Sequence, residues 1–92
     1  MIGFVRCECI LYNLHSLKDK RSVLKRLMNR ISQSGNIALT EADFHDLWQR
    51  TALEMVTVSK DKVQAEKELN RALKIIDSHG DLERTVTHFE WL

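Results

Sequence analysis

At 92 residues the chain has room for one domain, residues 1–92, and can bury roughly 60 to 65% of its unfolded surface, enough for one modest core. Hydrophobic residues make up 43% and charged residues 29%, which excludes a disordered chain, and no apolar run approaches the ~20 residues that cross a bilayer. The net charge is only +1, so any charged surface has to come from an uneven distribution.

From Met1 the sequence enters a strand pattern without the basic segment, apolar region or cleavage site of a secretory signal, and the expectation is a cytoplasmic protein. Residues Ile2 to Tyr12 alternate in chemistry. Val5, Cys7, Cys9 and Leu11 form one wholly apolar face, which belongs under helices, whereas Phe4, Arg6, Glu8, Ile10 and Tyr12 form a mixed face that tolerates water or a partner. Cys7 and Cys9 are two apart on the same side, a spacing that suits neither a disulfide nor a zinc turn, and they read as small buried hydrophobes of a reducing compartment.

Ser16 with Asp19 resembles a capping box and opens a predicted helix from about Leu17 to Ser34. Its apolar stripe is Leu17, Leu24, Leu27, Met28 and Ile31, with Val23 at the margin, and Gly35 with Asn36 is the expected stop. Asn36 to Asp43 reads as a short second strand. Phe44 to Trp48 connects it to a third strand, about Gln49 to Ser59, with Ala52, Glu54, Val56 and Val58 on the open face and Thr51, Leu53, Met55 and Thr57 beneath the helices. Ser59 or Asp61 caps a second helix, Lys60 to His79, whose predicted stripe is Val63, Leu69, Ala72, Leu73 and Ile76, and Gly80 ends it. Leu82 to Trp91 is rich in Thr, Val and aromatics and reads as a fourth strand whose faces the alternation leaves unassigned.

The order strand, helix, strand, strand, helix, strand predicts an α+β fold, a ferredoxin-like βαββαβ two-layer sandwich with an antiparallel sheet and both helices on one face. Strand one should lie beside strand three in the middle, with strands two and four at the edges.

The run His15-Ser16-Leu17-Lys18-Asp19-Lys20-Arg21, the run Asp46-Leu47-Trp48-Gln49-Arg50 and the ending Glu90-Trp91-Leu92 resemble the YlxP-like family of small bacterial proteins. That resemblance implies a ferredoxin-like fold, a bacterial cytoplasmic protein and a genomic setting among genes for transcription termination and ribosome maturation. It supplies no catalytic residues.

The residues themselves point to binding. Residues 1–30 hold seven basic side chains against two acidic ones, and the remainder holds seven against eleven, so one face of a nearly neutral molecule can be strongly positive. Lys18, Lys20 and Arg21 stand in the first turns of a helix, where the dipole disfavours cations by about 0.3 to 1 kcal/mol each at low screening. With Ser16 and Lys25 they are candidates for holding phosphate; a solvated basic helix face is the plainer reading of the same residues. Trp48, Gln49 and Arg50 can stack on a base and hydrogen-bond its edge, a mode of single-stranded RNA recognition, or Trp48 can close the rim of the core. Strand three carries no aromatic, which argues against the RNA-recognition-motif mode of binding. Asn13 to Ser16 contains no glycine, which argues against the phosphate cradle of acylphosphatases. The four histidines show no HxH or HxxxH spacing, so no metal site, cofactor or catalytic residue is expected and the chain reads as a non-enzyme. Two partners remain open: RNA or a ribosomal particle through the basic helix, and a second copy of the chain, a homodimer, through the open sheet face.

Overall fold

The apolar half of the first strand decides the architecture. In the computed structural model, which describes residues 1–92, β1 (Ile2–Leu11) runs through the centre of a four-stranded antiparallel sheet of order β2-β3-β1-β4, with β2 Ala38–Asp43, β3 Arg50–Val58 and β4 Leu82–Trp91. Helices α1 (Leu17–Ser34) and α2 (Lys62–Asp77) complete the ferredoxin-like βαββαβ sandwich. Val5, Cys7, Cys9 and Leu11 are buried, and the core they form includes Leu24, Leu27 and Ile31 of α1, Leu69, Leu73 and Ile76 of α2, and Leu53 and Met55 of β3. No helix is long and apolar enough to cross a membrane.

One expected position is corrected, and one is more buried than its face suggests. Val63 is 65% exposed and stands off the stripe of α2, whose buried side is Ala65, Glu68, Leu69, Ala72, Leu73 and Ile76; at 100° per residue Val63 lies more than a quarter turn from that row. Ala52 lies on the open face as expected yet is fully buried, because it is registered between Glu8 and Asp43, whose longer side chains reach out to arginines of the same face.

The faces of β4 follow from its register. Trp91, Phe89 and Thr87 lie opposite Gly3, Val5 and Cys7, after which a bulge at Thr85 resets the pairing to Arg84 opposite Cys9 and Leu82 opposite Leu11. β2 is bulged as well, between Glu41 and Asp43. Both edge strands thus carry a device that twists an edge and resists pairing with another chain.

Helix ends are tied by side chains from elsewhere in the fold. Ser16 Oγ accepts from the Asp19 amide at 3.1 Å while Asp19 Oδ2 accepts from the His15 amide at 3.1 Å, a reciprocal cap. At the other end α1 has no basic residue in its last turn, and Arg71 of α2 donates to the Ser34 carbonyl instead. Gly35 is extended (φ 177°), so it is not a left-handed stop. A Cβ there would collide with the Glu68 carboxylate, so a side chain at this position requires the Glu68 head group to move. Arg84 clamps the end of α2 to β4 with two bonds to Asp77, at 2.7 and 2.8 Å, and this hydrogen-bonded guanidinium holds the Asp77 carboxyl below its ordinary range.

Gly3 marks the closest approach of sheet and helix layer. A Cβ at that position would lie 2.8 Å from Trp91 Cζ3 and 3.1 Å from Leu69 Cδ1. Gly3→Ala should therefore cost about 1 to 3 kcal/mol by overpacking, read as a lower urea midpoint; a variant as stable as the parent would show that the Trp91 ring gives way freely.

Candidate nucleic-acid interface

Folding separates the candidate residues into three environments. Lys18, Arg21 and Lys25 remain on the solvent side of α1, where they are joined by Arg26 and Arg30. None of these five cations takes part in an ion pair, and Arg26 alone has a side-chain partner, the Ser22 hydroxyl at 2.9 Å. Arg21 with Lys25 and Arg26 with Arg30 are like charges one helical turn apart, an arrangement that costs a helix about 0.2 to 0.5 kcal/mol per pair. Lys18, Arg21 and Lys25 form one row and Arg26 with Arg30 a second, about 140° further round the helix, and together they extend ~18 Å along it.

Lys20 is different, and its assignment to anion binding is corrected. Its side chain is 1% exposed. The ammonium donates to the Phe44 carbonyl at 2.6 Å and to the Leu47 carbonyl, and it lies 2.9 Å from Glu41 Oε2. A lysine ammonium has three protons, and here all three have oxygen partners within the fold. None is left for an external phosphate. Lys20 occupies the buried side of α1 because it falls in the row of Leu24, Leu27 and Ile31, and its long stem carries the charge across to the β2–β3 connection. The cation that breaks the local helix rule at this position is thus compensated internally.

The connection it holds is tight. Phe44 is left-handed (φ 62°), a conformation uncommon for a side chain of this size, and its amide is satisfied by the Asp43 carboxylate at 2.8 Å. The Leu47 amide donates back to the Phe44 carbonyl at 3.0 Å. Glu41 also accepts from the Thr51 hydroxyl at 2.6 Å, so one carboxylate joins β2, β3 and α1.

Arg50 is committed to the other side of the molecule. Its guanidinium lies 4.0 Å from the centroid of the Phe44 ring and donates to Glu8 Oε1 at 2.9 Å on the open face. Trp48 is half-buried and Gln49 exposed, and the Gln49 carbonyl is taken by the Leu11 amide at 2.9 Å. Ser16 is engaged in the cap described above. The two motifs meet through Lys20 and the Leu47 carbonyl, but Arg50 faces the other side of the sheet. Lys18, Arg21 and Lys25 share a surface, and Arg50 is not part of it.

Other cations join that surface. Lys67 and Lys74 of α2 are exposed and lack ion-pair partners, whereas the acids of the same helix are engaged: Glu66 lies 3.9 Å from Lys62, Glu68 3.2 Å from Arg71 and Asp77 2.7 Å from Arg84. Residue-by-residue charge counting misses Lys67 and Lys74 because the α2 segment is nearly balanced in sequence. Its acids are neutralised locally, and its outward lysines are not.

Cys7 and Cys9 are fully buried, so neither thiol is within reach of a substrate in solvent. No group of three His, Cys, Asp or Glu side chains is arranged to hold a metal ion.

Comparison with known proteins places the chain in a family. The family described as "Protein of unknown function (DUF503)" matches residues 2–89. The chain belongs to that family. It is 50% identical over 91 residues, 99% of each chain, to "Uncharacterized protein YlxP" of Bacillus subtilis (strain 168). In this DUF503 protein the His15–Arg21 motif is thus partly structural, through Ser16, Asp19 and Lys20, and partly displayed, through Lys18 and Arg21.

Proposed function

We propose that this protein is a non-catalytic binding protein that holds the phosphate backbone of structured RNA, such as that of a ribosomal particle, against its helix layer. The observation that carries the reading is the set Lys18, Arg21, Lys25, Arg26 and Arg30, five exposed cations without an acidic partner spread over the solvent side of α1. Cations kept together against mutual repulsion, with their counter-charges placed elsewhere in the same small fold, are expected where a polyanion supplies the missing charge. Such contacts position a backbone and carry little sequence information.

The test is an anisotropy titration of fluorescent hairpin RNA with the wild type and with a variant carrying Gln at all five positions. We expect at least a hundredfold loss of affinity at low salt, because each phosphate contact is an independent electrostatic gain. The thermal melt should be unchanged or improved. Equal affinity of the two proteins would discard the reading.

A further inference from the structure

We propose that the open face of the sheet is a second docking surface, one that takes a cationic, aliphatic segment of a partner protein. This surface lies on the opposite side of the sheet from the helices and does not rest on the RNA reading.

The face holds a groove of about 360 Å³ whose open side is formed by Phe4, Ala38, Thr40, Glu54 and Val56. Its floor is apolar and it continues toward exposed Val58 and Ile2. Phe4 is registered between Val56 on β3 and Glu90 on β4, so carboxylates stand on two sides of the groove, at Glu54 and at Glu90. Leaving histidine out, the whole face carries five carboxylates, those of Glu8, Asp43, Glu54, Glu83 and Glu90, against the guanidiniums of Arg6 and Arg50. The central acids are matched within the protein: Arg6 lies 3.1 Å from Glu54 and 3.7 Å from Asp43, and Arg50 lies 2.9 Å from Glu8. Glu83 and Glu90 are not. Glu83 accepts only from the Tyr12 hydroxyl at 2.7 Å, and Glu90 meets only His88 at 3.1 Å.

An apolar floor rimmed on one side by the Glu90 carboxylate, which no lysine or arginine meets, selects its occupant by charge. A lysine or arginine side chain can lay its methylene stem along Phe4 and Val56 while its head reaches the rim. A second copy of this chain is a poorer occupant. A two-fold axis would set one acidic face on another, and the bulged β2 and β4 edges oppose extension of the sheet.

The experiment uses nitrogen-15-labelled protein titrated with a helical leucine–lysine peptide and, separately, with its leucine–glutamate counterpart, followed by amide chemical shifts. The lysine peptide should perturb Phe4, Thr40, Glu54, Val56 and Glu90, and Ala38→Lys, a change at an exposed position, should weaken it roughly tenfold, the typical scale for losing one central contact. RNA affinity of that variant should stay within about twofold, since its new charge lies away from the helix layer. The five-glutamine helix variant should still take the peptide, so failure of either surface is distinguishable from failure of the other. Shifts confined to α1, equal binding of the glutamate peptide, or a concentration-dependent dimer abolished by Ala38→Lys would each overturn the proposal, the last by identifying a second copy as the occupant.

Discussion

Replacing Lys20 with methionine should remove about 3 to 5 kcal/mol of stability, the usual loss when one member of a buried ion pair is deleted. Methionine fills much of the same volume, so the loss reports the ammonium rather than a cavity. What it strands is specific: the Leu47 carbonyl loses its side-chain donor, the Phe44 carbonyl keeps only the Leu47 amide, and Glu41, 18% exposed, is left with only the Thr51 hydroxyl. Each is a polar group that had given up water for this contact. A domain of this kind has about 5 to 15 kcal/mol in all, so the variant should be partly unfolded at room temperature or melt far below the parent. Lys18→Met, at an exposed position on the opposite side of the helix, should change stability by under ~0.5 kcal/mol. Urea denaturation of the pair checks both. Similar midpoints for the two variants would mean that the β2–β3 connection stands without its clamp. A triple replacement of Lys18, Lys20 and Arg21 by Glu is expected to unfold for the same reason, although acids at positions 18 and 21 alone suit the helix dipole.

Leu27→Ala should cost about 2 to 5 kcal/mol. Leu27 is 1% exposed and belongs to the central cluster beneath α1, with Leu24 and Ile31 on the same row. The helix is tied at both ends, by the Ser16–Asp19 cap and by Arg71 on the Ser34 carbonyl, so it cannot tilt freely to close the cavity. The loss should fall toward the upper part of that range. Urea unfolding should show the midpoint displaced with an unchanged slope, and a loss under ~0.5 kcal/mol would contradict the packing.

The architecture was legible because its signals are periodic. Alternation in Ile2–Leu11 and in Arg50–Val58 identified which face each central strand buries, and the 3.6-residue rows of α1 and α2 supplied the cover. The faces of β4 were not legible, because the bulge at Thr85 breaks the period of two on which such an assignment rests. Val63 misled because one apolar residue near a helix start can match a stripe by type and miss it by angle.

The candidate site was half legible. Charge counting located the basic helix, but it could not tell Lys18 from Lys20, two positions apart with opposite exposures. What separates them is a pair of carbonyls 24 and 27 residues further along the chain, and a lysine stem long enough to reach them. The sequence held one usable sign: Lys20 falls in the same row as Leu24, Leu27 and Ile31, so a solvent position for it conflicts with the helix period. Glu68 is the matching case on α2, buried in an apolar row and serving the Asn36 amide, Arg71 and Gln64. A charged residue inside an apolar row is better read as a clamp than as a surface group.

The measurement closest to the central claim, that the displayed cations of α1 engage phosphate while Lys20 serves the fold, is the salt dependence of RNA affinity. Five phosphate contacts give a slope of log affinity against log salt of about −3 to −5. Lys18→Gln, Arg21→Gln and Lys25→Gln together should make that slope shallower by about two to three, roughly one per contact removed, with the melting temperature retained. A slope unchanged by the three substitutions, or near zero in the parent protein, would contradict the account.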